Sequence, residues 1–474
     1  MITRVRQALA AALIVVAACA PAADAPTRVT LDAHTRFQTI DAWATNLRLW
    51  EEDKRNDRYN HSIEPALDNV FTFLVDSVGI NGVRLEIPSG IENPTSRWAG
   101  YRSGKVPYSA FQRARFEKIN DNDDPRVADT SGFQFDDLDF RIERMFLPLK
   151  RRLEARGETL HVNVNYVDFK WKQDSQQGTL SHAKNPEEFA EFVVVCFQHL
   201  RQKYGIVPDA FEVILEPENT EAWRGETIGR ALVAAADRLK ANGFTPEIIA
   251  PSNSQMRNAI TYFDEMIAVP GVLDRLRTFA YHRYRLERRD DVLAIASRAR
   301  AHHLKTAMLE KVGAGIDVLL EDLVDGNVSA WQQWAAAGST ANADNGGYYA
   351  RVEPSDSTAQ HVFMARLSTH LAQLFQAVRR GAIRIGASSD NPDKRVVAFI
   401  NRDQRWVVVA RAKAAGGRVT VSGLPPGQYG VSTSTEAQRR VYHEPITVGA
   451  DSALTTTMAE AGVLAIVRLP AARP

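Results

Sequence analysis

The chain has 474 residues, of which 45% are hydrophobic, 24% are charged and 8% are aromatic. These proportions are typical of globular proteins, and they exclude disordered and collagen-like chains. The length allows about three domains, or one large barrel with a companion domain. With 58 Lys and Arg against 57 Asp and Glu, the formal net charge is +1. A chain this close to neutral has no overall attraction for nucleic acid or for an anionic membrane.

The first residues have the pattern of a signal peptide, predicted to span residues 1–18. Arg4 and Arg6 precede an apolar run, Ala8–Ala18, that is too short to cross a bilayer. The run leads into Cys19 in a sequence that resembles the bacterial lipobox, which implies lipidation of Cys19. Cleavage by an ordinary signal peptidase near residues 20–22 is the alternative. Either way we expect an exported protein, periplasmic or held at the outer membrane only by an N-terminal lipid, and otherwise secreted.

Between Phe37 and Gln333, short apolar runs rich in β-branched residues alternate with amphipathic stretches. This alternation indicates repeated βα units, and eight such units predict a (β/α)8 barrel. The eight predicted strands are Phe37–Ala42, Gly82–Ile87, Leu160–Tyr166, Ala210–Leu215, Glu247–Ala250, Thr278–Tyr284, Lys305–Leu309 and Val328–Trp331. Helices are predicted over Asn185–Lys203 and Ile228–Ala241, because both have helical apolar spacing and the first begins with Pro and acidic residues.

A different pattern follows a helix predicted to run from near Gln360 to Arg379. Short alternating segments separated by Gly, Pro, Asn and Asp predict an antiparallel β-sandwich. These segments are Arg395–Asn401, Arg405–Arg411, Arg418–Ser422, Gln428–Thr433 and Val463–Arg468. The predicted domains are therefore a catalytic barrel over residues 27–376 and a sandwich over residues 377–474, with residues 27–34 as a possible further strand of the sandwich.

Two glutamates stand at the ends of predicted barrel strands. Glu216 follows Leu215, and Glu310 follows Leu309, 94 residues further along the chain. That spacing equals three βα units of about 31 residues, which places the glutamates on the fourth and seventh strands. Strand ends carry the active site in such barrels, and a carboxylate pair is what cleavage of a glycosidic bond requires. A single glutamate at a strand end can also cap a helix or bind an arginine.

Most tryptophans also follow predicted barrel strands, and sugars stack on such rings. We expect Trp98, Trp171 and Trp223 to form the wall of a groove. For Trp331 and Trp334, contact with substrate and simple filling of the barrel rim are equally acceptable interpretations.

With these residues the sequence resembles glycoside hydrolase clan A, and within it family 30, in which a (β/α)8 barrel carries a side β-sandwich. The resemblance covers nearly the whole mature chain and includes Phe37–Asp41, Gly82–Leu85 and Ala377–Ile385. It implies that Glu216 is the acid/base and Glu310 the nucleophile. It also implies that Arg84 holds the nucleophile ionised, and that His282 and Tyr284 form the His-x-Tyr pattern of the sixth strand.

The chain departs from the clan pattern beside its acid/base, where Leu215 stands in place of the usual Asn that contacts the sugar 2-hydroxyl. Asn219 or Asn165 is expected to make that contact instead, unless the sugar differs at that carbon or activity is weakened. Lys311 also stands after Glu310, where an aromatic residue is common.

The main hypothesis is thus an exported retaining glycoside hydrolase that acts on an oligo- or polysaccharide without a metal or organic cofactor. The alternatives are a catalytically weak or inactive carbohydrate-binding lipoprotein of the same fold, and another clan A hydrolase that acts on furanosides or uronides. The acidic run Asn120–Asp124 lacks the spacing of an EF-hand, so a solvated or sugar-contacting loop is favoured there over a calcium site.

Overall fold

A closed barrel of eight parallel strands is joined to a mostly antiparallel nine-stranded sheet. This computed structural model describes residues 26–47, 49, 57–59, 61–169, 180–220, 222–338, 346–353, 361–414, 416–450 and 452–470. The barrel and the second β domain are the architecture that the sequence pattern predicts, and that prediction is confirmed. The signal-peptide and Cys19 predictions concern residues outside the described part, as does Trp171.

The barrel strands are closed in chain order, each hydrogen-bonded to the next and the last to the first. They are β2 (Ala42–Asn46), β3 (Gly82–Pro88), β4 (His161–Val167), β5 (Ala210–Glu212), β6 (Glu247–Asn253), β7 (Leu276–His282), β8 (Lys305–Glu310) and β9 (Val328–Gln332). Small and aliphatic side chains, including Ala210, Ile249 and Ala307, form an apolar cluster among the barrel strands. Gly82 allows β2 and β3 to approach, because a Cβ there would lie 2.6 Å from Cβ of Ala42.

The second sheet runs in the order β18-β17-β20-β15-β14-β13-β1-β16-β19. Its strands are β1 (Thr27–Thr39), β13 (Ile383–Ser389), β14 (Lys394–Ile400), β15 (Trp406–Ala412), β16 (Gly417–Ser422), β17 (Gly427–Ser434), β18 (Val441–Val448), β19 (Leu454–Met458) and β20 (Gly462–Arg468). The strand β1 is antiparallel to β13 and parallel to β16. A separate three-stranded sheet contains β10 (Ala335–Gly338), β11 (Tyr348–Glu353) and β12 (His361–Met364).

Two predicted elements have different positions in the structure. Phe37–Ala42 is not the first barrel strand, because Phe37 belongs to β1 in the second sheet and the barrel begins at Ala42. The helix predicted from near Gln360 begins only at Ser368, since His361–Met364 is a strand. In both cases the sequence pattern assigned a segment to the element that follows it in the chain.

Helices surround the barrel, and the best predicted of them is Pro186–Tyr204. It has Pro at its first position, Glu187 and Glu188 in its first turn, and Gly205 in the left-handed conformation at its end. The α-helices are α1 (Leu67–Phe73), α2 (Trp98–Arg102), α3 (Tyr108–Ala114), α4 (Asp136–Arg141), α5 (Leu147–Glu154), α6 (Pro186–Tyr204), α7 (Gly225–Ala241), α8 (Met256–Ile267), α9 (Val272–Arg275), α10 (Arg289–Ala301), α11 (Ile316–Val324) and α12 (Ser368–Ala377).

Short 3-10 helices and π-helical turns complete the helical structure. The 3-10 helices span His61–Ala66, Ser89–Ile91, Thr130–Gly132 and Pro217–Asn219, and the π-helical turns span Leu74–Val78 and Ile142–Phe146. Among the described residues, no helix combines the length and the apolar character needed to cross a membrane.

Candidate active site

Glu216 lies just beyond the end of β5 with a left-handed backbone, φ 46° and ψ 60°. This conformation is uncommon for a residue with a side chain and often marks a functional site. Backbone bonds to both neighbouring strands hold the segment: the Glu216 N–H donates to Ser252 O at 3.1 Å, and the Leu215 N–H donates to Tyr166 O at 2.9 Å. The strand ends thus fix the direction of the Glu216 side chain.

Glu310 is the last residue of β8 and is buried. The Arg84 guanidinium, itself almost fully buried on β3, donates to its Oε2, and the Tyr284 hydroxyl donates to Oε1 at 3.0 Å. Burial lowers the pKa of Arg84, but Glu310, Glu212 and the other nearby carboxylates outweigh burial and raise it. Arg84 therefore remains charged and forms a buried ion pair with Glu310.

The two glutamates face each other. One carboxylate oxygen of Glu216, one of Glu310 and a ring nitrogen of His282 all lie within 4.8 Å of one another. Retaining glycosidases hold their two carboxyl groups about 5 to 5.5 Å apart, whereas inverting enzymes leave roughly 6.5 to 9.5 Å for a water. The nearest oxygens of Glu216 and Glu310 are at most 4.8 Å apart, whereas these class values refer to whole carboxyl groups.

Glu216 has an environment unlike that of Glu310. Its Oε1 lies 3.0 Å from Nδ1 of His282, and its Oε2 accepts a 2.7 Å bond from the Asn219 amide. Burial raises the pKa of Glu216, the bond to His282 opposes that rise, and the nearby Glu310 adds to it. The net result is a carboxyl group that holds its proton to higher pH than an exposed glutamate.

His282 and Tyr284 are the other titratable groups beside the pair. Burial lowers the pKa of His282, but the bond to Glu216 and the charge of Glu310 outweigh burial. The pKa of His282 is therefore above its usual value. Burial raises the pKa of Tyr284, and the nearby Glu310 raises it further. The hydroxyl therefore stays protonated and donates a hydrogen bond to Glu310. Two carboxyl groups in contrasting environments are the arrangement that separates an acid from a nucleophile.

A polar layer inside the barrel supports this pair, and sequence reasoning did not find most of it. Glu86 accepts from Asn46 and from Arg115, both at 2.7 Å, and Glu212 accepts from Asn163 at 3.0 Å. The signal was present in β3, where Arg84 and Glu86 alternate with apolar residues. Two charges at a spacing of two in a buried strand share one face of the sheet, here the barrel interior.

Several buried polar atoms near the carboxyl ends of the strands have no hydrogen-bond partner within the described residues. They include both side-chain polar atoms of Asn165 and of Gln332, and single atoms of Ser252, Asn253 and His282. Buried polar groups in native proteins are nearly always bonded to protein, water or ligand. A hydroxyl-rich ligand would satisfy such groups.

The groove wall predicted from Trp98 and Trp223 is wrong, because both rings are buried, and for Trp331 the structure favours the rim-filling interpretation. The Trp223 and Trp331 side chains are both 0% exposed. Trp223 donates to Asp168 at 3.0 Å, and Trp331 donates to Asp322, on α11 outside the barrel, also at 3.0 Å. Trp98 is buried too, among other aromatic rings. These rings fill the space between strands and helices.

The residues that depart from the clan pattern point away from the catalytic pair. Leu215 is buried in a small apolar cluster with Phe116 and Val167. The Lys311 amine bonds to Glu287 and, at 3.1 Å, to the backbone oxygen of Arg283. The structure thus groups Glu216, Glu310, Arg84, His282, Tyr284 and Asn219 by direct contacts, with Asn165 on the neighbouring strand β4.

Comparison with known proteins gives structural matches only. No protein-family model matches the chain, and no curated protein matches its sequence. The catalytic domain of a family 30 xylanase C from Talaromyces cellulolyticus aligns over 94% of this chain and 100% of its own, with a TM-score of 0.64 and 14% identity. A conserved exported protein from Bacteroides fragilis aligns over 93% and 99%, with a TM-score of 0.64 and 13% identity.

An endo-β1,6-glucanase aligns over 93% of this chain and 94% of its own, with a TM-score of 0.61 and 16% identity. The chain therefore has the glycosidase fold of family 30 structures, a barrel with a β domain. The resemblance seen in the sequence is confirmed at the level of the fold.

Proposed function

We propose that this chain is an exported retaining O-glycoside hydrolase that cleaves an oligo- or polysaccharide. The observation that carries the proposal is the close carboxyl pair with opposite environments. Glu310 is held by Arg84, and the buried Glu216 has a raised pKa. Export rests on the signal-peptide pattern of residues 1–18, and an anchor on lipidation of Cys19.

In the first step a Glu310 carboxylate oxygen attacks the anomeric carbon while the bond to the leaving oxygen breaks. Glu216 gives its proton to that oxygen, and a glycosyl-enzyme ester forms. In the second step Glu216, now a carboxylate, takes a proton from water as the water oxygen attacks the same carbon. The ester bond breaks, and Glu310 is restored as a carboxylate.

Substrate binding is assigned to buried groups that have no hydrogen-bond partner among the described residues. Asn165, buried on β4 with a free amide, is the candidate for the 2-hydroxyl contact, because Asn219 already donates to Glu216 and Leu215 is packed away. Gln332, on β9, is free to meet hydroxyls of the same sugar. No metal or organic cofactor enters these steps.

The test begins with xylan and β1,6-glucan, the substrates named for the structural neighbours, and extends to a panel of other polysaccharides and aryl glycosides. Glu310→Gln should abolish turnover of every substrate. Glu216→Gln should still form the glycosyl-enzyme from an activated aryl glycoside, and added azide should restore turnover with a product of retained configuration. Glu226→Gln, exposed on α7, is the matched control.

A retained azide from Glu310→Gln and an inverted azide from Glu216→Gln would contradict the assigned roles, because azide gives inversion where it replaces the nucleophile and retention where it attacks the glycosyl-enzyme. Binding without turnover across the panel would favour the alternative, a carbohydrate-binding protein of the same fold, for which Leu215 beside Glu216 is the motivating observation. Turnover restricted to furanosides or uronides would place the activity with other clan A hydrolases.

A further inference from the structure

Three acidic side chains meet, with a fourth nearby, where the long connection between β3 and β4 reaches the start of α6. One carboxylate oxygen each from Glu92, Asp121 and Glu188 lies within 4.8 Å of the other two. Glu191 is three residues after Glu188 and so lies on the same helix face. This carboxylate cluster is formed by residues separate from the catalytic pair.

The carboxylate cluster has too few hydrogen-bond donors among the described residues: Asp121 Oδ2 accepts from the Asn122 amide at 2.8 Å and from the Asp129 N–H, but several other oxygens have no partner. Glu191 is 2% exposed, yet neither of its carboxylate oxygens has a partner. Glu92 is 1% exposed and has a free Oε1, while its Oε2 lies 2.8 Å from Nε2 of His182. One buried oxygen of Asp121 and the amide oxygen of Asn120 are also without partners. Burying several such acceptors together requires a compensating cation or protons.

The part of the chain that the structure describes gives these carboxylates no lysine or arginine ion pair, only His182 beside Glu92. Arg238 acts on the carboxylate cluster, but its guanidinium bonds to the backbone oxygen of Pro125 and, at 3.4 Å, to that of Glu187.

We propose that Glu92, Asp121, Glu188 and Glu191 bind a calcium ion, with the Asn120 amide oxygen as a neutral ligand. Oxygen ligands from separate chain segments suit Ca²⁺, which accepts 6–8 oxygens in flexible geometry, whereas Mg²⁺ demands a near-ideal octahedron. The neighbouring His182 has no ring nitrogen left to bind a transition metal, because both nitrogens already have hydrogen-bond partners. Nε2 lies 2.8 Å from the Glu92 carboxylate, and Nδ1 lies 2.8 Å from the Tyr166 hydroxyl.

The ligand set explains why the sequence did not reveal this site. Of the acidic run, Asn120 and Asp121 take part, whereas Asp124 pairs with Arg126 at 2.8 Å. The other ligands come from Glu92, 29 residues before Asp121, and from α6. No local spacing rule covers such a set.

A bound ion would fasten the β3–β4 connection to α6 at the end of the barrel that carries the catalytic pair. The same connection supplies Phe116, which packs on Leu215, and Lys118, which bonds to Asp168 at 2.6 Å. The expected effect is on stability, and it does not depend on the proposed glycosidase activity.

The experiment uses the full chain after treatment with a chelator and exchange into chelator-free buffer. Calcium chloride is titrated by calorimetry, and the thermal unfolding midpoint is measured with added calcium, with added magnesium and with chelator. We expect one calcium ion per chain and a midpoint that rises with calcium concentration beyond the Kd. Magnesium at equal concentration should raise the midpoint much less.

Glu191→Gln and Asp121→Asn should each weaken calcium binding by about tenfold or more and remove most of the calcium-dependent rise in the midpoint. In chelator, Glu191→Gln should unfold no earlier than the unchanged chain, because it removes an unpaired buried charge. Glu187→Gln, an exposed neighbour on the same helix turn, should bind calcium like the unchanged chain.

The proposal is overturned if calcium up to about 10 mM gives neither saturable heat nor a higher midpoint, since even weak extracellular sites bind below that range. It is also overturned if magnesium stabilises as much as calcium, or if Glu191→Gln and Asp121→Asn keep the calcium response of Glu187→Gln.

Discussion

Nδ1 of His282 lies 3.0 Å from Oε1 of Glu216, and the other ring nitrogen of His282 has no partner among the described residues. A proton must lie in this short contact, because two lone pairs facing each other would repel. His282 thereby favours the ionised form of Glu216, against the effect of burial. The same contact leaves Nε2 of His282 free for a substrate hydroxyl.

Removal of this contact should change the pH profile of the proposed enzyme. A proton donor is active below its pKa, so the rate falls as pH rises through the pKa of Glu216. Because His282 lowers that pKa, His282→Ala should move the alkaline limb of kcat/KM to higher pH. The measurement is a pH–rate profile on a substrate found in the panel, with the exposed His34→Ala as control. A limb that moves to lower pH would contradict the assigned acid.

Arg84→Met should lower kcat by about 10²- to 10³-fold with a smaller change in KM, since the charge acts on the attacking carboxylate. The measured quantities are kcat and KM, with circular dichroism to verify folding. Arg152→Met, which removes a partly exposed ion pair with Asp76, is the control. An equal loss in both arginine variants would show that the effect is a general one of stability.

Trp331→Phe should destabilise the fold without altering substrate binding. The substitution removes the 3.0 Å bond to Asp322 and part of a fully buried ring, a loss of about 1 to 3 kcal/mol. Denaturant unfolding and KM are the two measurements. A large rise in KM with unchanged stability would favour the substrate contact that the sequence left open for Trp331.

Leu215→Asn should not restore the amide contact of the clan, because the side chain packs on Phe116 and Val167. The new amide would replace apolar contacts in a buried cluster, and we expect a loss of about 2 to 4 kcal/mol in unfolding free energy. Leu215→Met, which conserves volume, should cost less than about 1.5 kcal/mol. Higher kcat/KM in the Asn variant would show that residue 215 does reach the substrate.

The sequence predicted the barrel well because its strands are short apolar runs at regular spacing, and it predicted Glu216 and Glu310 because each ends such a run. It failed for Trp223 and could not decide for Trp331, since a tryptophan after a strand can face either the barrel mouth or the surrounding helices. The direction depends on tertiary partners, here Asp168 and Asp322, which lie far away or on another element.

Boundaries between domains were harder to predict than the domains themselves. Apolar alternation continues through Phe37, so the end of β1 and the start of the barrel read as one strand. Partners distant in sequence decide the division: Arg36 pairs with Ile385, whereas Ala42 pairs with Ala330. The sequence indicated Asn165 as a sugar contact, but not that its amide has no partner among the described residues, because an unpaired side chain is defined only by what surrounds it.

The position of β1 has a consequence for how the chain reaches its native state. This first strand lies between β13 and β16, which are made more than 340 residues later. During synthesis β1 has no partner strand while the barrel segments emerge, and its unpaired backbone N–H and C=O groups are open to wrong pairings. Closure of the nine-stranded sheet is then a late event, with the sequence separation that makes β topologies slow to fold. Because β1 pairs only with β13 and β16, a chain would resist proteolysis at its first strand only after both of these late strands have been made.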